Sequence, residues 1–354
     1  MSGSIRSTPL GTSSAILGLG AYRPDRVVTN DEILQRIDST DEWIRSRSGI
    51  STRRFARDDE TVADMGPAAA GKALAAAGLA PSDVDVLIVA TATGLNQTPS
   101  VAAEIDVQVG TGGAAAFDIG AACAGFCHGL ALANDMVRAG TARHVVVVGV
   151  EKLSTFLNRD DRATAFIFGD GAGAAVVGPS EEPGIGPVVW GSDSTGIAHI
   201  RQDHPWDETF AQPDGPRWPH LEMDGNPVFR WAAFEMAKAA REALDAAGVN
   251  VDDLDAFVPH QANMRITDAM ARTLKLPDTV AIARDIAEQG NTSAASVPLA
   301  LDRLVADGEL SSGDLALIIG FGAGSHGKDA AGSRAVAHRE QKHGPFNAAI
   351  IPGD

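Results

Sequence analysis

Apolar and polar positions follow the same order in two distant stretches of the chain. Residues 73–89 and 243–259 each show an Ala-rich helical pattern, a glycine, an acidic turn and an apolar run. The glycines, Gly78 and Gly248, stand where a helix C-cap needs a positive φ, and the apolar runs predict buried strands. The two stretches lie 170 residues apart.

A second pair of apolar runs, 144–149 and 314–319, has the same spacing. We interpret the shared spacing as a duplication of one α/β unit, although two unrelated helix–strand units would also produce such sequence patterns. Helical patterns at 125–139 and 296–306 follow further apolar runs in each half. The polar, proline-broken stretch 199–219 predicts a surface excursion, which could cover a cleft.

The boundary between the halves is predicted at the Pro-, Gly- and acid-rich linker 178–184. We therefore divide the chain into an N-terminal half at 1–180, a C-terminal half at 181–330 and a variant C-terminal tail at 331–354. The residues after Gly344 show no periodicity and are expected to be loose.

Composition limits the function classes. The chain has 354 residues and a formal net charge of −17, which argues against nucleic-acid or anionic-membrane partners. Two cysteines, Cys123 and Cys127, provide neither a disulfide framework nor a zinc ligand set, and a reducing cytoplasm is the simplest setting. The N-terminus has no apolar signal core and no run reaches membrane-spanning length, so we expect a soluble protein.

Three separated residues carry candidate chemistry: Cys123, His260 and Asn291. Each lies where an apolar run ends and a helix or tight turn begins, which is where sheet-based enzymes place reactive groups. A helix start favours the thiolate of Cys123, and a His with an Asn can both donate hydrogen bonds to an enolate oxygen. Taken singly, each could be structural: a buried inert Cys, a satisfied core His and a helix-capping Asn. We assign the inert role to Cys127.

The chain resembles β-ketoacyl-[acyl carrier protein] synthase III, a thiolase-fold condensing enzyme, in its actinobacterial form. The resemblance extends from Ala15 to about Gly324 and rests on residues 40–50, 121–126, 168–174, 260–265 and 290–295. It implies an α/β, duplicated thiolase-like fold, layered α-β-α-β-α, with two mixed sheets related by a pseudo-twofold axis. It also implies a homodimer that uses acyl-CoA as substrate and needs no cofactor or metal.

The resemblance implies a reaction as well. Cys123 takes the acyl group of an acyl-CoA, and His260 and Asn291 then stabilise the enolate formed as malonyl-[acyl carrier protein] loses CO2. The product is a β-ketoacyl-carrier protein, which starts a fatty-acid or polyketide chain. The backbone N–H groups of Cys123 and Ala323 would form the oxyanion hole.

Further positions carry over from the family. The implied CoA-binding residues are Trp43, Arg47, Arg162, Gly225, Asn226, Phe229 and Asn263. The implied carrier-protein docking residues are Gln261, Ala262, Asn263, Met264, Arg265 and Arg230. Helical spacing separates three basic residues, Arg265, Arg272 and Lys275. They form either a basic docking face or a merely solvated helix face. Thr98 and Phe321 are assigned to the acyl pocket, and small Thr98, where some relatives carry Phe, predicts branched or medium acyl primers.

One segment departs from the family. Residues 325–333 are polar where relatives have an apolar final strand, which leaves acyl specificity and that strand open. Three other functions remain possible at this point. They are an acyltransferase that moves an acyl group to an alcohol or amine without decarboxylation, a Cys-His-Asn hydrolase and a non-catalytic partner subunit.

Overall fold

The computed structural model describes residues 13–192, 196–212, 214–322 and 346–352. The elements of the first half, in chain order, are β1 (Ser13–Tyr22), β2 (Arg26–Thr29), α1 (Asn30–Ile33), α2 (Asp41–Ser48), β3 (Thr52–Phe55), α3 (Val62–Ala77), β4 (Val86–Ala90), α4 (Val101–Val109), β5 (Ala115–Ile119), α5 (Gly125–Arg138), β6 (Val145–Lys152) and β7 (Asp170–Ser180). Those of the second half are β8 (Val189–Gly191), β9 (Ile200–Gln202), β10 (Leu221–Met223), α6 (Gly225–Ala247), β11 (Ala256–Pro259), α7 (Met264–Leu274), β12 (Ala281–Ile282), α8 (Ile286–Gln289), α9 (Ser296–Ala306), β13 (Leu315–Phe321) and β14 (Phe346–Pro352).

Two five-stranded sheets repeat one topology. The first has the order β1-β7-β6-β4-β5 and the second, read from its matching edge, β8-β14-β13-β11-β12. In each sheet the three strands at one end are parallel (β6, β4, β5 and β13, β11, β12), and the other two pairings that are recorded along the sheet are antiparallel. The repeated pattern thus reflects a duplication, as predicted.

The glycines at the predicted helix ends carry the expected conformation. Gly78 closes α3 at φ 66° and Gly248 closes α6 at φ 69°, both in the left-handed region that favours glycine. After each glycine a one-turn 3-10 helix leads into a fully buried strand, β4 or β11. The sequence pattern therefore predicted the order helix, turn, strand correctly in both halves.

Side chains alternate across each sheet and define five layers. On β4, Ile88 packs with α5 and α9 in a central apolar cluster, whereas Leu87 and Val89 pack with α3 and α4 on the outer face. On β11, Val258 points to the same central cluster and Phe257 to α6 and α7. Because the period of a strand is two residues, both faces of both sheets are covered by helices. The predicted α-β-α-β-α layering is confirmed.

The C-terminus differs from the expectation. Residues 346–352 form β14, which pairs antiparallel with β13 along its whole length and with β8 on its other side. The prediction that residues after 344 are loose is therefore wrong for this segment. Its backbone groups complete the second sheet in the position that β7 has in the first. The division of the chain at residues 180 and 330 stays a prediction.

The excursion at 199–219 has structure of its own. It contains β9 and a 3-10 helix, Trp206–Ala211, and β9 pairs with β10 as a two-stranded ribbon. Within the described parts of the chain, no helix combines the length and apolarity needed to cross a bilayer.

Candidate active site

A cavity of about 320 Å³ opens beside the C-terminal ends of β11 and β13. Its walls include the three predicted catalytic residues, Cys123, His260 and Asn291. They come from both halves of the chain, the cysteine from the first and the other two from the second. The rest of the wall is largely apolar, as ligand pockets usually are.

Cys123 lies in a 3-10 turn, Ala122–Ala124, immediately before α5. The turn starts with Ala122 at φ 44°, a strained conformation for a residue with a side chain. Gly322, at the end of β13, passes so close that a Cβ there would lie 2.9 Å from the Cys123 nitrogen. The nucleophile is therefore held between its own strained turn and a strand of the second sheet.

The resting nucleophile is a thiol. Burial raises the pKa of Cys123 to about 12, and the nearby Glu151 carboxylate raises it further, while a hydrogen bond with Ser293 lowers it. Desolvation of the charged form opposes the effect of the helix start, and the expectation that this helix start favours the thiolate stays a prediction. Cys123 must lose its proton when it attacks. Cys127, one turn further along, is buried in the central cluster as predicted.

His260 follows β11 and is only 2% exposed. Its Nδ1 lies 2.6 Å from the Ser296 hydroxyl oxygen, which also accepts a hydrogen bond from the Gln261 N–H. With the Ser296 hydroxyl as donor to Nδ1, the ring carries its proton on Nε2. Burial lowers the pKa of His260 to about 3, so the ring is neutral, and Phe321 packs against it edge-on at 5.1 Å.

Asn291 is fixed by both its backbone and its side chain. Its N–H donates to the carbonyl of Ile167 and its own carbonyl accepts from Gly169, so it forms a parallel bridge to the first half. Its Oδ1 accepts the Ser293 N–H at 2.8 Å. The amide nitrogen is left to donate to a ligand, as is Nε2 of His260.

The two halves place these residues in slightly different registers. The turn Ser293–Ala295 before α9 begins with Ser293 at φ 48°, matching Ala122 at the same place before α5. Cys123 therefore lies within its turn, whereas Asn291 lies two residues before its own. The predicted equivalence of the two helix starts is confirmed, but the two functional side chains occupy different positions at them.

The predicted CoA-binding residues surround the cavity. Trp43 has the guanidinium of Arg162 over its ring at 4.9 Å and that of Arg47 at 5.9 Å. The residues of this predicted set that line the cavity are Trp43, Arg47, Gly225, Asn226, Phe229 and Asn263. Arg162 is exposed next to these residues, and its guanidinium contacts the ring of Trp43, which is one of them.

The predicted docking residues divide into exposed and buried positions. Arg265 is exposed over the Phe229 ring at 5.1 Å, and Arg230 is exposed on α6. Asn263 caps α7 and donates to the carbonyl of Arg47, while Ala262 and Met264 are half-buried. Gln261 is 1% exposed and its amide bonds the carbonyls of Pro259 and Ala283. The prediction that the Gln261 side chain contacts a carrier protein is wrong, because that side chain is used inside the protein.

Of the two predicted acyl-pocket residues, Phe321 lines the cavity and Thr98 does not, because Thr98 is exposed on the loop before α4. Ala323, predicted for the oxyanion hole, and the divergent segment 325–333 lie outside the described residues. In the part of the chain that is described, no group of three or more His, Cys, Asp or Glu residues could hold a metal ion.

The sequence reasoning missed three residues that support the site: Glu151, Ser293 and Ser296. Glu151 is completely buried, and its carboxylate accepts hydrogen bonds from Thr93 and Ser293. The available signal was a lone acidic residue directly after five valines and a glycine in a buried strand, since unpaired buried carboxylates are costly. The two serines gave no such signal, because serine is common at helix starts.

Comparisons with known proteins agree with this geometry. The family description "3-Oxoacyl-[acyl-carrier-protein (ACP)] synthase III" matches residues 117–194, and its C-terminal counterpart matches residues 244–328. A beta-ketoacyl-[acyl-carrier-protein] synthase III of Streptomyces glaucescens is 58% identical over 309 residues, covering 87% of this chain and 92% of that protein. A mycobacterial beta-ketoacyl-[acyl-carrier-protein] synthase III of Mycolicibacterium paratuberculosis is 52% identical over 320 residues, covering 90% and 95%.

A solved structure extends the similarity to three dimensions. The priming β-ketosynthase from the R1128 polyketide biosynthetic pathway superposes with a TM-score of 0.90 at 46% identity, covering 99% of both chains. With the duplicated five-layer fold and the shared Cys, His and Asn cavity, these matches establish that the chain belongs to the β-ketoacyl-[acyl carrier protein] synthase III family of condensing acyltransferases.

Proposed function

We propose that this protein condenses an acyl-CoA primer with malonyl-[acyl carrier protein], releasing CoA and CO2, to start a fatty-acid or polyketide chain. One observation carries the proposal: a thiol and two hydrogen-bond donors, from different halves of the chain, line one cavity. Cys123 holds the acyl group, and Nε2 of His260 and the amide nitrogen of Asn291 bind the malonyl thioester carbonyl.

The neutral state of His260 suits this role. A carbonyl that becomes an enolate needs donors already oriented toward the developing charge, and a neutral ring protonated on Nε2 is such a donor. The Ser296 contact at Nδ1 and the Ser293 contact at Asn291 Oδ1 hold both donors in orientation. The largely apolar wall favours loss of the malonyl carboxylate charge as CO2.

The oxyanion of the acyl-transfer steps would bind the backbone N–H of Cys123 together with that of Ala323. The closeness of Gly322 to the Cys123 nitrogen supports this assignment, because it brings the chain after β13 to the nucleophile. The adenine of CoA would insert beside Trp43 after Arg162 moves from the indole face. Arg265 and Arg230 supply positive charge for an acidic carrier protein.

A homodimer is supported by the edge of the first sheet. β5 is the last strand of that sheet, and Val107 on the neighbouring α4 is 81% exposed. An open strand edge with apolar neighbours favours pairing with a second copy. The loop bearing Thr98 lies between β4 and α4, where it would reach a partner's acyl pocket. Sedimentation of the wild type and of Val107→Glu tests this, and a monomeric wild type would contradict it.

The reaction is tested by mass spectrometry and by CO2 release. After incubation with a series of acyl-CoAs, intact protein is expected to gain one acyl mass, which Cys123→Ala abolishes and the matched control Cys127→Ala retains. Labelled malonyl-carrier protein is then expected to release CO2 at the full rate only with the enzyme carrying intact His260 and Asn291. Asn291→Ala should keep the acyl adduct but lower the condensation rate by about 100-fold, the usual effect of one lost donor.

The second candidate, acyl transfer to an alcohol or amine, predicts a different pattern. An acyl adduct without CO2 release from malonyl-carrier protein would favour it over the condensation. An adduct that survives in Cys123→Ala would contradict both.

A further inference from the structure

Glu151 is a buried carboxylate to which the proposed reaction assigns no part. It is 0% exposed near the end of β6. Its Oε2 accepts hydrogen bonds from the Thr93 hydroxyl at 2.7 Å, the Ala92 N–H at 3.0 Å and the Thr91 hydroxyl at 3.3 Å. A buried carboxylate is costly unless its oxygens are bonded, and these three donors from the turn after β4 fix the group in place.

The other oxygen of Glu151 contacts the second half of the chain. Oε1 accepts the Ser293 hydroxyl at 3.0 Å, and this bond joins β6 to the turn before α9. The backbone N–H of the same serine donates to Oδ1 of Asn291 at 2.8 Å. Ser293 therefore links the buried carboxylate to the active-site amide by two hydrogen bonds, one through its side chain and one through its backbone.

The Ser293 hydroxyl is not required for the shape of its turn. The equivalent turn of the first half begins with Ala122 at φ 44°, close to the 48° of Ser293, and has no hydroxyl there. Gly149 approaches the turn so closely that a Cβ on it would lie 2.3 Å from the Ala294 carbonyl oxygen, which keeps the turn against β6. The hydroxyl instead ties residue 293 to the carboxylate and limits rotation of the peptide whose N–H holds the amide.

Asn291 needs this support because its own backbone bonds fix only its main chain. Its N–H and carbonyl bridge to Ile167 and Gly169, while its side chain can still rotate. An amide that binds a developing enolate must present its nitrogen, so its oxygen needs a donor on the other side.

We propose that Glu151 is a positioning residue: through Ser293 it holds the Asn291 amide in the orientation that binds the malonyl thioester carbonyl. The inference rests on the proposed condensation for the role of Asn291. It assigns Glu151 no contact with substrate, so removal of the link weakens the step that uses Asn291 and leaves the attack of Cys123 on acyl-CoA intact.

The two half-reactions separate positioning from general support of the fold. Ser293→Ala should leave the acylation rate within about twofold and lower CO2 release about tenfold, less than the roughly 100-fold loss expected when a donor is removed outright. Rapid-quench mass spectrometry measures the first rate and labelled malonyl-carrier protein the second. An equal loss in both rates would show a structural role and overturn the proposal.

Ser154 provides a matched control. Its hydroxyl donates to the fully buried carboxylate of Asp170 at 2.6 Å, so Ser154→Ala removes the same kind of bond at another buried acid. This variant should keep both rates. A fall in CO2 release equal to that of Ser293→Ala would show that the effect is not specific to Glu151 and would contradict the proposal.

Double-mutant cycles test each bond of the path. Since Ser293 acts through Asn291, Ser293→Ala should not lower CO2 release further in Asn291→Ala. Glu151→Gln keeps the shape of the side chain but only one acceptor oxygen. Three donors at Oε2 against one at Oε1 turn the new amide nitrogen toward Ser293, whose hydroxyl then loses its acceptor. Glu151→Gln should therefore lower CO2 release in the wild type but not in Ser293→Ala, and losses that multiply in either cycle overturn the path.

Crystal structures of Ser293→Ala and Glu151→Gln test the positioning without any malonyl substrate. The Asn291 side chain should shift or take a second position, while the backbone of residues 290–295 superposes on that of the wild type. An unchanged Asn291 in both variants overturns the proposal. If the wild type is acylated but releases no CO2, the proposed condensation has failed, whereas these structures still decide whether Glu151 positions Asn291.

Discussion

The buried neutral His260 makes stability depend on pH in a way that one substitution can isolate. An unfolded chain exposes this ring, with its ordinary pKa of 6.5, whereas burial in the folded protein lowers the pKa to about 3. Between these values the unfolded state binds more protons than the folded state, so acid favours unfolding. His260 therefore costs no stability well above pH 6.5, and it destabilises the folded state increasingly as the pH falls below that value.

The magnitude follows from the two pKa values. At pH 8 both states are unprotonated and the contribution is close to zero, whereas at pH 5 the unfolded ring is almost fully protonated and the folded ring is not. The resulting loss is about 2 kcal/mol. This value hardly changes if the folded pKa is one unit higher, because at pH 5 it is set by the unfolded ring.

The assay is urea unfolding of the wild type and of His260→Gln at pH 8 and pH 5, at one protomer concentration. Burial also lowers the pKa of His128 and His220, and both proteins share those contributions, so the difference between the proteins reports His260. The wild type should lose about 2 kcal/mol more than the variant on acidification. Parallel losses in the two proteins would refute the reasoning that His260 is buried and neutral.

Three further predictions test other parts of the site. Trp43→Ala should raise KM for acyl-CoA about fivefold with kcat retained, since a cation–π and stacking surface contributes on the order of 1 kcal/mol. Steady-state kinetics would show a fall in kcat instead if Trp43 acted in chemistry. Gly322→Ala would place a Cβ 2.9 Å from the Cys123 nitrogen, so urea unfolding should show a loss of about 1–3 kcal/mol and mass spectrometry a loss of the acyl adduct. Thr98→Phe should shift the primer preference from branched toward acetyl, and an unchanged ratio in competition assays would contradict its place in the acyl pocket.

The repeat in the sequence was sufficient to predict the fold, because both copies carry local signals with one structural meaning: a glycine at a helix end and a strongly apolar run. Gly78 and Gly248 end helices, and the runs after them are too apolar to be exposed. The strand 346–352 escaped prediction for the opposite reason. It is a short apolar run after a polar stretch, and its pairing with β13 is a long-range interaction that local periodicity does not encode.

The same distinction applies to the site. The family motifs predicted Cys123, His260 and Asn291, and the cavity brings them together. The helix start after Cys123 is visible in the sequence, whereas the desolvation that raises the pKa of its thiol is not. The partners Ser293 and Ser296 became visible only in the fold, because Ser293 meets Glu151 across the two halves and Ser296 meets His260 from a distant part of the second half.

The duplication places a residue with a positive φ at the same point in both halves, an alanine in the first half and a serine in the second. Ala122 and Ser293 begin equivalent turns with nearly the same φ, 44° and 48°, so the fold imposes this conformation on both halves. In the first half the turn places the Cys123 sulfur at the cavity. In the second half, the close approach of Gly149 to the backbone of Ala294 brings the turn against β6, beside Glu151. A hydroxyl at residue 293 can then donate to the Glu151 carboxylate, which an alanine could not. The same backbone strain thus holds the nucleophile in one half and the partner of a buried carboxylate in the other.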